Sequence, residues 1–253
     1  MKYSPAPNHI EFILMPADNI IKEIVAATEA LGSGIETYPI CEYLLPSTFL
    51  KVAGAQEQKL KCICWEMACR DYAYRYERYE KNPYSECSSY KDKCTVYNDL
   101  RERISELDST FQIDDAYKTD ILNEWRCAYS ALFENTEIAK SFSEKYQDCK
   151  EILPHIGPKW MMVKKDLFLK KDSVSAGERS FTNDKSLFDL FGQAYDERNR
   201  CAHNTRSYQH NIPSIRTLAT ADFSTDNYFL YIALLLLLDR IYIKLFKGYL
   251  TRI

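Results

Sequence analysis

The chain has 253 residues, of which 46% are hydrophobic and 27% are charged, as is usual for a globular domain. Its formal net charge of −3 excludes a general electrostatic attraction to nucleic acid. With only 7 Gly and 9 Pro, and without a Gly-rich phosphate loop, it does not fit P-loop or dinucleotide-binding folds. So few helix-breaking residues predict an all-α protein.

The first 81 residues are predicted to contain two helices. The first lies near 18–31 and ends at the Gly-Ser-Gly of 32–34. A Pro-containing connector follows, and Ser47 is the expected N-cap of a long helix that runs to about residue 81. Apolar residues in this helix recur at three- and four-residue steps, which predicts one buried face.

The rest of the chain is predicted to be mostly helical as well. Three shorter helices are expected near 97–107, 114–133 and 135–152, whereas residues 153–182 look irregular, with room for one or two strands. Helices resume at 185–206 and 226–248. We expect a single domain, 1–253, whose core helices are 47–81, 185–206 and 226–248, with the range 97–180 as a helical or irregular insertion.

Two features of the sequence predict where in the cell the protein is located. The apolar run YFLYIALLLLL, 228–238, is too short to span a bilayer and predicts a buried helix, so no membrane attachment is expected. The N-terminus has no basic segment followed by an apolar core, and nine cysteines without such a leader suggest reduced thiols. Both features predict a cytoplasmic protein.

The segment DERNRCAHNTR, 196–206, contains the candidate active site. On a helix, Arg198 falls within an apolar stripe formed by Leu187, Leu190, Phe191, Ala194, Cys201 and Ala202. A guanidinium on a packing face is costly unless it meets an anion or lines a wet cleft. Asn199 and His203 are four residues apart, so the Asn199 amide is expected to orient the imidazole.

An arginine and a histidine together suit the cleavage of RNA. The substrate carries its own nucleophile, the 2′-hydroxyl. Histidine moves protons near neutral pH, and arginine binds a phosphate in bidentate fashion while charge builds on its oxygens. This chemistry needs no metal and no cofactor, so none is expected. The products would be a 2′,3′-cyclic phosphate and a 5′-hydroxyl.

The sequence RNRCAH, 198–203, resembles the HEPN superfamily of α-helical domains, whose nuclease members carry Arg, a polar residue, three variable residues and His. The resemblance covers the helix at 47–81 and residues 183–250, and it implies a HEPN-like helical bundle. It also implies a metal-independent endoribonuclease that acts as a homodimer with both motifs facing one cleft. Such proteins often serve as toxins or as abortive-infection effectors against phage, so RNA and an antitoxin or defence-system protein are the expected partners.

Further site residues are predicted around this motif. Arg200, Arg206 and His210 lie in a segment without acids, 198–216, and are expected to help bind RNA. Many HEPN members also carry an acid four residues before a base on an early helix. Glu57 and Lys61 fit this pattern best, and Glu66–Arg70 is the alternative. An ordinary helix ion pair explains either pair equally well.

Three alternatives remain open from the sequence. The domain could be a catalytically inactive HEPN-like module that binds a partner or a nucleotide. The cysteines at 62, 64, 69, 87 and 94 lack the paired spacing of zinc ligands, and buried thiols explain them better; Cys201 is likewise expected in the core. Tyr72, Tyr76 and Tyr79 share a helix face on which bases could stack, although packing against neighbouring helices is the commoner arrangement.

Overall fold

The structure is a computed structural model that describes residues 8–32, 34, 37–81, 87–163, 166–168, 187–203 and 227–253. Most of these residues are helical, and no strand occurs among them, so the all-α class is confirmed for this part of the chain. In chain order the elements are α1 (His9–Leu14), α2 (Asp18–Leu31), α3 (Thr37–Arg70), α4 (Tyr72–Arg75), a π-helix (Tyr76–Lys81), α5 (Tyr90–Leu107), α6 (Asp115–Phe133), α7 (Glu137–Ser141), α8 (Ser143–Met161), α9 (Leu187–His203) and α10 (Tyr228–Leu250).

The C-terminal helix α10 is the centre of the fold. Every side chain from Phe229 to Asp239 is buried, as expected of a helix that is apolar on all sides. Asn227 caps its first turn, because the side-chain oxygen accepts a hydrogen bond from Leu230 N at 3.3 Å. α10 packs mainly on α3 and α6 and also touches α1, α5, α8 and α9. None of the described helices has the length and apolar content needed to cross a bilayer.

The middle of the chain contributes to this core. Trp125 on α6 is fully buried, and its indole Nε1 donates to Ala233 O on α10 at 2.7 Å. Ile121 and Phe133 on the same helix are also buried. The assignment of 97–180 as an insertion stays a prediction. In its described residues, this range supplies part of the core.

Helix α3 begins earlier and ends earlier than expected. It starts at Thr37, passes through Pro46 and ends at Arg70. Ser47 is therefore not an N-cap: its hydroxyl donates to Tyr43 O at 2.9 Å, one turn back inside the helix. The predicted helix 47–81 breaks at Asp71, whose carboxylate caps the next turn by accepting from Tyr74 N at 2.9 Å.

A buried ion pair connects α3 to α10 and to the start of α2. Lys59 Nζ lies 2.6 Å from Asp239 Oδ1, and the two side chains are only 6% and 2% exposed. The other carboxylate oxygen accepts from Ala17 N at 2.8 Å. Next along α10, the guanidinium of Arg240 pairs with Asp18. These contacts hold the N-terminal segment against the core.

Several other boundaries also differ from the sequence prediction. Residues 153–161, expected to be irregular, continue α8 through Pro154 and Pro158. α5 begins at Tyr90, well before residue 97, because Ser89 caps it by accepting from Asp92 N at 3.1 Å. By contrast, the helices expected at 18–31, 114–133, 185–206 and 226–248 are confirmed, with ends that agree within a few residues wherever those ends are described.

Candidate functional site at the contact of α3 and α9

Helix α9 faces the core with the predicted apolar stripe. Five members of the stripe are buried, Leu187, Leu190, Phe191, Ala194 and Cys201, and they pack α9 against α3, α8 and α10. Ala202, which was placed on the same stripe, is exposed instead. The stripe therefore ends at Cys201, and Arg198 lies on the buried side of the helix, close to α3.

Arg198 meets an anion on α3. Its Nη2 donates to Glu57 Oε2 at 2.9 Å, and its Nη1 donates to Asn199 Oδ1 at 3.0 Å. The two charged side chains are 27% and 13% exposed. A guanidinium has five N–H donors, and these two bonds use two of them. The site thus contains a partly exposed cation, and contacts among the described residues engage two of its five donors.

Glu57 is the supporting acid that the sequence singled out, but its bonded partner differs from the expected one. The carboxylate engages Arg198 across the helix contact, and Lys61, one turn further along α3, is half-buried. The alternative pair, Glu66 and Arg70, is an ordinary i,i+4 ion pair at 2.5 Å. Glu66 Oε1 also lies 3.4 Å from Nδ1 of His9, the first residue of α1.

A small cavity adjoins the ion pair. Its volume is about 20 Å³, enough for roughly one water molecule. It is too small to accept a nucleotide, so a substrate would have to approach Arg198 from the exposed side of the guanidinium. The cavity is lined by Phe49, Ala53, Gln56, Glu57, Ser88, Lys93, Phe191, Ala194, Tyr195, Arg198 and Leu235.

Lys93, on α5, is a charged residue of this cavity that the sequence did not reveal. It is buried, and its Nζ donates to Cys87 O at 3.0 Å. Burial lowers the pKa of Lys93 to about 8; the negative charge of Glu57 opposes this shift, and the positive charge of Arg198 adds to it. In the sequence, Lys93 lies in the polar stretch SSYKDKC, and nothing there distinguishes it from the exposed Lys91.

Glu197 is a second residue that sequence reasoning missed. It is buried, pairs with Arg200, and accepts hydrogen bonds from Tyr228 OH at 2.5 Å and Cys201 Sγ at 3.1 Å. These contacts join the end of α9 to the start of α10. Arg200, expected to bind RNA, is thus engaged by an acid of its own helix, and its role toward RNA stays a prediction.

Cys201 is a core residue, as expected. Burial, together with the hydrogen bond to Glu197, raises the pKa of its thiol to about 12. A thiol with so high a pKa is protonated at neutral pH and is a poor nucleophile. This argues against a Cys–His mechanism in the segment between Arg198 and His203.

The remaining predicted site residues are only partly described. His203 is the last residue of α9, and its side chain, like all of Arg206 and His210, lies outside the described residues. The oxygen of the Asn199 amide already accepts from Arg198. An amide oxygen can accept a second hydrogen bond, so both this oxygen and the amide NH2 of Asn199 can still bond to the imidazole of His203.

The metal site and the tyrosine face considered from the sequence can both be compared with the described residues. Among the described residues, no group of three or more His, Cys, Asp or Glu side chains is arranged to hold a metal ion. Tyr72, Tyr76 and Tyr79 are exposed, so the expectation that this stripe packs against neighbouring helices is wrong. Tyr74, on the opposite face of the same segment, is the ring that is buried.

Comparison with known proteins adds no further assignment. No protein-family model, curated protein or solved structure matches this chain.

Proposed function

We propose that this protein is a metal-independent endoribonuclease of the HEPN type. The observation that carries the proposal is the contact of Arg198 with both Glu57 and Asn199. Arg198, Asn199 and Glu57 were each predicted from the sequence to be site residues. They are in contact at one partly exposed position, although Glu57 is 141 residues from Arg198 in the chain. Because two hydrogen bonds already hold the guanidinium of Arg198 in place, little reorganisation energy is needed when it binds a phosphate.

Each residue has a distinct part in the proposed reaction. The 2′-hydroxyl of the RNA attacks the adjacent phosphorus, and the bond from phosphorus to the 5′-oxygen of the next nucleotide breaks. Arg198 binds the non-bridging oxygens as their negative charge increases. His203 moves the proton, either from the attacking hydroxyl or to the leaving oxygen. Asn199 and Glu57 position Arg198.

A homodimer would complete this site. Arg198 and His203 are five residues apart on α9, about 140° around the helix axis, so they do not point the same way within one helix. Two copies of α9 related by a two-fold axis would supply both side chains to one cleft. One imidazole could then accept a proton while the other donates one. In a cell, such an activity suits a toxin or an abortive-infection effector restrained by a partner protein.

A second candidate function is a catalytically silent interaction module with the same fold. The observation that favours it is that Arg198 is already neutralised by Glu57 beside a cavity with room for only about one water. In that case the ion pair is structural and serves to dock α9 on α3. The two candidates differ in what the loss of the guanidinium does.

The deciding experiment uses the full-length protein with mixed RNA in the presence of EDTA. We expect cleavage that leaves 2′,3′-cyclic phosphate and 5′-hydroxyl ends. Arg198→Ala and His203→Ala should each abolish cleavage while circular dichroism stays native. Arg126→Ala, which removes an exposed arginine of α6, is the matched control and should cleave normally. Strict dependence on Mg²⁺, or full activity in both site variants, would overturn the proposal.

A further inference from the structure

A cavity of about 390 Å³ lies between α6 and α8. Its lining residues Arg126, Ser130, Glu134 and Lys150 are exposed, so the cavity is open to solvent. A volume of this size accommodates a small molecule of about twenty non-hydrogen atoms. None of its lining residues belongs to the cavity beside Arg198, so the two sites are separate.

The floor of this cavity consists of aromatic rings that the core holds in place. Trp125, Tyr129 and Tyr146 line it, and each is less than a tenth exposed. The Trp125 indole donates to Ala233 O at 2.7 Å, and the Tyr129 hydroxyl is hydrogen-bonded to Cys149 Sγ on α8 at 3.2 Å. Because protein contacts fix these rings, a flat apolar ligand meets a preformed surface.

The guanidinium of Arg126 closes one end of the cavity. It packs against α8 at Gly157, where a Cβ would lie only 2.6 Å from the Arg126 Nη2, so a residue without a side chain permits this approach. Within the described part of the chain, Arg126 donates no hydrogen bond and pairs with no carboxylate. Its five N–H donors are therefore available to an anion that enters the cavity.

The other charged residues of the cavity lie toward its opposite end. Glu134 follows Arg126 by about two turns on α6, and Lys150 precedes Gly157 by about two turns on α8, so each is roughly 10 Å along its helix from the Arg126 end. The Lys150 Nζ lies 5.7 Å from the centroid of the Tyr146 ring. Two cations against one acid give the lining a net positive charge. At the far end Lys150 and Glu134 offset each other, so an anionic group is favoured at Arg126.

We propose that the cavity between α6 and α8 binds a small aromatic anion, with its rings against Trp125 and Tyr129 and its carboxylate or phosphate on Arg126. This binding site is additional to the proposed ribonuclease and does not rest on that function. Two attractions act together: burial of apolar ring surface, and a charge-assisted hydrogen bond from the guanidinium. A neutral aromatic molecule lacks the second attraction and inorganic phosphate lacks the first, so both should bind weakly.

The probe for this site is the dye anilinonaphthalene sulfonate, an aromatic anion of matching size. It is titrated into the full-length protein and followed by calorimetry and by its own fluorescence. We expect saturable binding at a single site. Anilinonaphthalene, which has the same rings without the sulfonate, should bind roughly tenfold more weakly, because it accepts no charge-assisted hydrogen bond from Arg126.

Four variants at exposed positions locate the bound dye. Arg126→Ala should weaken its binding by roughly tenfold and leave binding of the neutral analogue unchanged. Ser130→Trp fills the cavity with a large ring and should abolish binding of both molecules. Ala131→Trp, at the neighbouring exposed position that does not line the cavity, and Lys22→Ala, which removes an exposed cation of α2, are matched controls and should bind as the wild type does. Near-UV circular dichroism verifies that each variant keeps its native packing.

Three outcomes would overturn the inference. The cavity is not the site if the dye fails to bind, or if Ser130→Trp binds it as tightly as the wild type does. The preference for an anion is wrong if the neutral analogue binds as tightly as the dye. Phenylacetate and phenyl phosphate then compete with the dye: displacement by either supports the proposal and identifies the anionic group, and displacement by neither contradicts it. Absence of Arg198-dependent RNA cleavage would refute the ribonuclease alone, because dye binding does not involve Arg198.

Discussion

Glu57 and Arg198 are joined by a hydrogen-bonded ion pair of 2.9 Å across the contact of α3 and α9, although they are 141 residues apart in the chain. The pair holds the guanidinium on the side of α9 whose apolar residues face the core. The ion pair itself contributes little to the free energy of unfolding, about 1 kcal/mol or less, because solvent reaches both side chains in part and screens their charges. The main consequence of the pair is therefore the position of Arg198.

Replacing Glu57 should impair RNA cleavage more than stability. In Glu57→Gln the guanidinium loses its charged partner, and we expect kcat/KM for RNA to fall roughly tenfold, because a mobile arginine stabilises the developing charge less well. Unfolding in urea should show a loss of about 1 kcal/mol or less. Glu66→Gln, which breaks the comparable ion pair with Arg70, is the control and should cleave as the wild type does. Equal rates in both variants would contradict a positioning role for Glu57.

Lys93 should make stability depend on pH in the alkaline range. Burial lowers its pKa to about 8, from 10.5 in an ordinary lysine, so between these values the unfolded chain binds more protons than the folded one. Stability from this group therefore rises as the pH rises through the window, by about 3 kcal/mol in all. Below pH 8 the full penalty for burying the charge is present, and above 10.5 it is absent.

The measurement is the difference in unfolding free energy between wild type and Lys93→Met across that pH range. The unfolding free energy of the wild type should rise relative to that of Lys93→Met as the pH rises, because methionine has no proton to lose. Lys91→Met, which changes an exposed lysine of the same helix, should show a constant difference. A constant difference for Lys93→Met as well would mean that the ammonium is not buried in solution.

The buried pair of Lys59 and Asp239 should be far more important for stability than an exposed pair on the same helix. Asp239→Asn leaves an ammonium buried without its counter-charge, and we expect a loss of about 3–5 kcal/mol. Asp120→Asn is the control: its carboxylate, 61% exposed, pairs with Lys244 on α10, and the loss should be below about 1 kcal/mol. Chemical denaturation measures the loss of unfolding free energy in both variants. Similar losses would contradict the burial of the Lys59–Asp239 pair.

Trp125 tests whether the middle of the chain belongs to the core. Trp125→Ala removes a fully buried ring and its hydrogen bond to Ala233 O, and a loss of about 3–5 kcal/mol is expected. Trp65→Ala removes a ring that is 52% exposed and should change stability by about 1 kcal/mol at most. If the first variant were no less stable than the second, α6 would not be packed against α10.

Local chemistry explains where sequence prediction succeeded. α2 ends at Gly32, whose φ of 68° favours glycine, and the Gly-Ser-Gly of 32–34 predicts that end from three residues. α10 follows from an uninterrupted apolar run that only a buried helix can accommodate. In both cases the deciding interactions lie within a few residues of one another.

Prediction failed where burial outweighed local preference. Pro46 in α3 and Pro154 and Pro158 in α8 each cost a backbone hydrogen bond, which is why the sequence suggested ends there. The helices continue because residues around these prolines, such as Leu45, Phe49 and Ile156, are buried against other helices. The exposed tyrosines of 72–79 are the opposite case, in which the pattern suggested packing but no described helix covers them.

By itself, the sequence determined that the chain is helical, that α10 is buried, and that Arg198 either meets an anion or lines a wet cleft, because each of these follows from periodicity or from the cost of burying a charge. Only the tertiary structure decided that Arg198 meets an anion, that this anion is Glu57, and that Lys93 lines the same cavity. Those contacts join residues far apart in the chain, and their energies depend on how whole helices pack, which no short pattern encodes.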